Sequence, residues 1–110
     1  MKLPNAEHAE VSPEKLRNYL LAPSHPVGRF KARFFQSLGY TLDNWEALSE
    51  SLLEVARTGE AEELPSPYGR KFRIIARLPV ATGEEVQVVT IWIESSSGAA
   101  PRFVTAYPPE

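Results

Sequence analysis

The spacing of apolar residues divides this chain into two halves. In the first half they recur at helical intervals. Val11-Ser12-Pro13 reads as N′, N-cap and first helical residue, with Leu16 placed to staple against Val11 and Leu16, Tyr19 and Leu20 forming one stripe. Ala22-Pro23 ends that helix, because proline restricts the residue before it. A stiff loop, Pro23-Ser24-His25-Pro26-Val27-Gly28, leads into a second helix at about Arg29 to Leu38, with Gly39 as its C′ residue. A third helix has Thr41 as N-cap, Tyr40 and Trp45 at the staple positions, Trp45, Leu48, Leu52 and Val55 on its buried side, and Gly59 as its stop.

After Glu60 the period falls to two. Glu60–Leu64 is a weak strand, and Pro65–Gly69 is a turn. In Arg70–Leu78, Phe72, Ile74, Ala76 and Leu78 take one face and Lys71, Arg73, Ile75 and Arg77 the other. Ala81-Thr82-Gly83 turns the chain into the strongest strand, Glu85–Glu94. There Val89, Ile91 and Ile93 read as core, which puts Thr90 and Trp92 on the cationic face. Arg102–Tyr107 is the last strand, and its parity groups Phe103 with Thr105 and Tyr107. A register error of one residue would invert that face. The prediction is an α+β domain over residues 1–110, with a helical half at about 12–59 and a sheet half at about 60–108. About three N-terminal helices pack on one face of an antiparallel sheet of three to four strands.

Composition narrows the chemistry. A chain of 110 residues suits one domain and needs no disulfide or metal to fold. It has no Cys, which excludes thiolate nucleophiles and Cys-ligated metals and fits a reducing compartment. No stretch approaches a membrane span, and the polar, acid-bearing residues 1–10 do not read as a signal peptide. A cytoplasmic location is therefore expected. There is no Gly-rich phosphate loop, nucleophile elbow, paired carboxylates or metal-ligand cluster, so neither cofactor nor metal is expected.

The net charge of −2 is uninformative, but its distribution is not. Acids dominate residues 43–63, whereas residues 64–83 hold Arg70, Lys71, Arg73 and Arg77 and no acid. Arg29, Lys31 and Arg33 crowd the start of the second helix, the end where cations are disfavoured. On a helical wheel Lys31 falls inside the stripe of Phe30, Phe34, Phe35 and Leu38. A helix start rich in Arg and Lys can seat a phosphate, and His25 just before it can carry a proton. The alternative is that Lys31 snorkels while Arg29 and Arg33 face water. The sheet face has two readings as well. Cations with Thr90, Trp92 and the last strand could bind phosphates and stack bases, or the face could be buried under a helix.

Three segments carry a resemblance: residues 1–7, MKLPNAE; residues 25–35, HPVGRFKARFF; and residues 101–108, PRFVTAYP. Together they resemble an uncharacterised bacterial domain family whose members occur as small stand-alone proteins and as C-terminal domains of filamentous-haemagglutinin-type polymorphic toxins. More distantly, the helices followed by a sheet ending in Thr-Ala-Tyr-Pro resemble the barnase/EndoU/colicin/RelE-like ribonuclease fold. That resemblance implies a metal-independent, toxin-type domain that cleaves or binds the RNA phosphodiester backbone. It implies His25 or Lys31 as proton carrier and Thr105 and Tyr107 lining the cleft. Arg29, with Arg70 or Lys71, would hold the phosphate, and Arg33 and Arg73 complete the set of phosphate-binding candidates. RNA and a small cognate partner or inhibitor protein are the expected partners, with no membrane. The alternative is a non-enzymatic interaction module of the same fold, marked by a hydrophobic patch around Trp92, Phe103 and Tyr107.

Overall fold

The computed structural model describes residues 1–22, 29–80 and 83–109, and the side chains of all of these except Arg29 and Phe30. The predicted loop 23–28, including His25, and the turn residues 81–82 lie outside the described residues.

Helix α1 (Pro13–Lys15) runs directly into a π-helical turn, Leu16–Leu20. Ser12 caps it by accepting from the Lys15 amide, and the wide turn closes with a bond from Leu21 N to Leu16 O of 2.8 Å. This widening places Leu16, Leu20 and Leu21 in the core together, all fully buried. Helix α2 spans Arg29–Ser37, and Gly39 follows it at φ 100, the left-handed conformation glycine tolerates. Thr41 and Asn44 form a reciprocal capping box around the 3-10 turn Leu42–Asn44, which leads into α3 (Trp45–Thr58). Gly59 ends α3 with extended backbone, so a left-handed cap is not what requires it. The requirement is space, because a Cβ there would collide with Ile74 Cγ2 and lie 2.8 Å from Val55 O.

The second half is a four-stranded antiparallel meander: β1 (Ala61–Leu64), β2 (Arg70–Pro79), β3 (Glu85–Glu94) and β4 (Arg102–Tyr107), in that spatial order. The fold is thus α+β, with helices ahead of the sheet and packed on one of its faces. The first ten residues are less detached than their polarity suggests. Lys2 bridges to Glu60 beside β1, Glu10 bridges in parallel to Arg102 of β4, and Leu3 and Ala6 enter the core between them.

The register corrects the expected face of β3. Phe72 pairs with Trp92 and Ile74 with Thr90, so both β3 residues lie on the helix-covered face and are fully buried. Thr90 is satisfied there. Its hydroxyl donates to Ile74 O at 2.8 Å and accepts from Trp92 Nε1 at 2.9 Å. Val89, Ile91 and Ile93 instead share the opposite face with Lys71, Arg73 and Ile75, and none of the three belongs to the main core cluster. Two apolar faces on β3 make a period-two reading ambiguous, and the polar hydroxyl tips the choice the wrong way.

Strand β4 holds the second correction. Trp92 pairs with Phe103 while Ile91 pairs with Thr105, leaving Val104 as the extra residue of a β-bulge. Phe103 therefore turns inward, edge-on to Trp92 with ring centroids 5.5 Å apart, while Thr105 and Tyr107 take the other face. Trp92 and Phe103 are core residues, so the surface patch expected around Trp92, Phe103 and Tyr107 does not form.

Candidate functional site

Helix α2 touches the edge strand β4, and the contact centres on Lys31. Its ammonium donates to the Tyr19 hydroxyl at 2.7 Å and to Thr105 Oγ1 at 3.2 Å. It also lies 5.1 Å from the centre of the Tyr19 ring, within cation–π range. All three residues are half-buried. Among the described residues no carboxylate stands within ion-pair distance of Lys31. Its position in the apolar stripe of α2 now has a cause. The stripe faces the sheet edge, and a long side chain leaving it there reaches two hydroxyls from different elements.

The Lys31 hydrogen bond holds the Tyr19 phenol below its ordinary value of 10.0. Burial opposes that shift, while the Thr105 hydroxyl and then the charges of Lys31 and Lys15 reinforce it. The result is an ammonium, an acidified phenol and an aliphatic hydroxyl at one point. Such a set can hold an anion, donate a proton and accept one. Tyr107 lies on the same face two residues beyond Thr105.

The cations of β2 are arranged otherwise. Arg70 donates to Glu63 through Nη2 at 2.8 Å and Nε at 3.4 Å, and its Nη1 lies 3.8 Å from Oε1 of the buried Glu94. Its guanidinium also sits 5.0 Å from the centre of the Phe72 ring. Arg73 is ion-paired with Glu62. Arg73, Ile91 and Thr105 form one cross-strand row, which puts Arg73 and Thr105 roughly 9–10 Å apart, two strand spacings. Lys71 is half-buried beside a cavity lined by Pro65, Tyr68, Ile91, Ile93 and Val104. Arg33 is exposed.

The structure therefore brings together Lys31, Thr105 and, along the strand, Tyr107, while Arg70 and Arg73 sit with carboxylates of β1. The side chain of Arg29 and all of His25 lie outside the described residues. Sequence reasoning missed Tyr19 as a partner of Lys31. Its place in the apolar stripe of the first helix disguised it, and only the misplaced Lys31 hinted at a polar partner. It also missed that Arg70 and Arg73 have nearby acids, since Glu62 and Glu63 lie on the preceding strand and Glu94 on the following one.

The sequence matches the family described as "Domain of unknown function (DUF6883)" over residues 2–110. No curated protein matches it. Its fold is similar to that of a chain in the contact-dependent growth inhibition toxin–immunity protein complex from Klebsiella pneumoniae 342. The TM-score is 0.70 at 16% identity, covering 96% of this chain and 97% of that one. Among the described residues no helix is long and apolar enough to cross a membrane.

Proposed function

We propose, for a chain that belongs to the DUF6883 family, a toxin-type module that binds and cleaves the RNA phosphodiester backbone without metal. The observation that supports this most is Lys31, half-buried and donating to two hydroxyls, with no carboxylate beside it among the described residues. A cation held by neutral groups keeps its charge for an incoming anion, and a phosphodiester is the anion the adjacent hydroxyl chemistry suits.

In this reading the ribose 2′-hydroxyl attacks the neighbouring phosphorus. The new P–O bond forms as the bond to the 5′-oxygen breaks, giving a 2′,3′-cyclic phosphate and a free 5′-hydroxyl. His25 takes the 2′ proton, and the Tyr19 phenol, acidified by Lys31, gives its proton to the leaving 5′-oxygen. Lys31 stabilises the charge that builds on the non-bridging oxygens, a role that carries about 10²–10³-fold in rate where a single donor is removed. Proton transfer adds roughly 10²–10⁴-fold. Thr105 orients Lys31, and Tyr107 lines the cleft. Arg29, Arg33 and Lys71 track flanking phosphates, while Arg70 and Arg73 are left to their carboxylates.

The test is digestion of RNA in EDTA by wild type, Lys31→Ala, Tyr19→Phe and His25→Ala. Wild type cleaves and the three variants fall behind by at least an order of magnitude. Equal rates in all four would remove the site. No cleavage by wild type, with no growth inhibition on expression, would remove the enzyme.

A second reading is an interaction module that binds a small cognate protein. It is favoured by the exposed apolar side chains of Ile75 and Tyr68, which are 48% and 81% accessible. Light scattering coupled to size exclusion, alone and with a candidate partner, tests it.

A further inference from the structure

The β-bulge in β4 does more than invert a parity. In a regular strand Val104 and Thr105 would face opposite sides. Because Val104 is the extra residue, both sit over Ile91 on the face away from the helices. Thr105 bonds to Lys31, while Val104 forms the wall of a cavity of about 290 Å³. Ile91 and Ile93 supply its apolar floor, the turn residues Pro65, Pro67 and Tyr68 one side, and Lys71 a cation beside it. Tyr68 is 81% exposed, so its ring lines the cavity with most of its surface open to solvent. The turn itself is fixed, with Ser66 Oγ accepting from the Tyr68 amide at 3.1 Å and Gly69 at φ 116.

We infer that this cavity is a base-binding subsite for single-stranded RNA, holding the nucleobase next to the phosphate that Lys31 binds. The inference rests on the phosphodiester reading of the Lys31 site. Size favours a single flat ring system, since the cavity lies just below the roughly 300–1,000 Å³ of clefts that take drug-sized ligands. Chemistry favours a base over an aliphatic side chain. The floor is apolar, one wall is an exposed aromatic ring, and Lys71 adds a cation to the lining. Position favours it most, because the bulge sets the cavity wall, Val104, directly beside Thr105, the partner of Lys31. The lining offers no array of fixed side-chain amides, so the subsite grips by stacking and discriminates weakly among bases.

The experiment uses the full chain in EDTA and a fluorescein-labelled hexanucleotide of 2′-O-methyl RNA, which cannot be cleaved. Affinity is measured for this probe and for the same backbone carrying abasic residues, with wild type, Tyr68→Ala, Val104→Ala and Lys31→Ala. Tyr68→Ala weakens the base-bearing probe about tenfold and leaves the abasic probe unchanged, as loss of one stacked base predicts. Val104→Ala gives a smaller shift of the same sign. Lys31→Ala weakens both probes. If Tyr68→Ala and Val104→Ala bind both probes like wild type while Lys31→Ala does not, the base subsite is overturned, the phosphate site stands, and this face is left to a protein partner. If wild type binds neither probe, both the subsite and the reading beneath it fall.

Discussion

Lys31 and Arg70 are both cations set against the same sheet, and the difference between them lies in their company. Arg70 is clamped between Glu63 of β1 and the buried Glu94 of β3, and it covers the Phe72 ring. Its charge is already answered, and what it does is tie three strands at one end of the sheet. Among the hydrogen bonds of the described residues Lys31 donates to hydroxyls, and its hydrogen bond to Tyr19 acidifies that phenol. A cation that neutralises a carboxylate maintains a fold, and one surrounded by neutral donors and acceptors stays available to a ligand. Charge clustering along the sequence puts each of them in a basic run and marks both alike, whereas their partners separate them.

The sharpest test of this contrast exchanges the two losses. Lys31→Ala is expected to lower RNA cleavage by about 10²–10³-fold while moving the urea midpoint little. Arg70→Ala is expected to do the opposite, lowering the midpoint and leaving cleavage near wild type, because it strands Glu94 without its cation. Adding Glu94→Gln to Arg70→Ala should recover part of that loss, since a neutral amide needs no counter-charge. Urea titrations and cleavage rates on the same four proteins decide it, and a cleavage defect in Arg70→Ala would break the contrast. A smaller effect is expected from Thr105→Val, which removes one of the two acceptors of Lys31. A hydrogen bond to a charged group contributes about 1.5–3 kcal/mol, so activity falls about tenfold or more with the fold retained. Unchanged activity would show that Thr105 does not hold the ammonium.

Proton binding separates the two regions most gently, at opposite ends of the pH scale. Tyr19 is an acid whose folded value lies below its ordinary 10.0. Its contribution to stability is fully present above that ordinary value and is lost as pH falls through the depressed one. Ultraviolet titration should find one tyrosine ionising early, and that early step should vanish in Tyr19→Phe and move upward in Lys31→Ala. Glu63 is likewise depressed from 4.5, first by its hydrogen bond with Arg70; burial opposes that, and the charge of Arg70 adds a lesser push downward. Its contribution is present above 4.5 and fades as pH falls through the lowered value. Stability of wild type and Glu63→Gln, measured against pH, should therefore differ above 4.5 and converge below the lowered value. Parallel curves would mean that the Arg70 pair has no effect in solution.

Much of the fold was open to reading in advance. Ser12-Pro13, Thr41 and Gly39 mark helix ends through local chemistry, and the strands Glu85–Glu94 and Arg102–Tyr107 coincide with their expected bounds. The oddity of Lys31 was visible as well, because a cation inside an apolar stripe breaks a local rule. The faces of β3 were not legible. Val88 and Val89, like Ile91 and Trp92, are buried on opposite sides, so alternation could not rank them. Nor was the bulge at Val104, which leaves no mark in composition.

The sequence by itself determined where helices and strands begin and end, since caps, turns and periodicity act over a few residues. It also determined that one helix would carry a lysine where an apolar side chain belongs. Only the tertiary structure decided which hydroxyls meet that lysine, which carboxylates claim the arginines, and which way Phe103 and Thr105 turn. Those outcomes depend on strand register and on one inserted residue, which bring together groups as much as 74 positions apart in the chain.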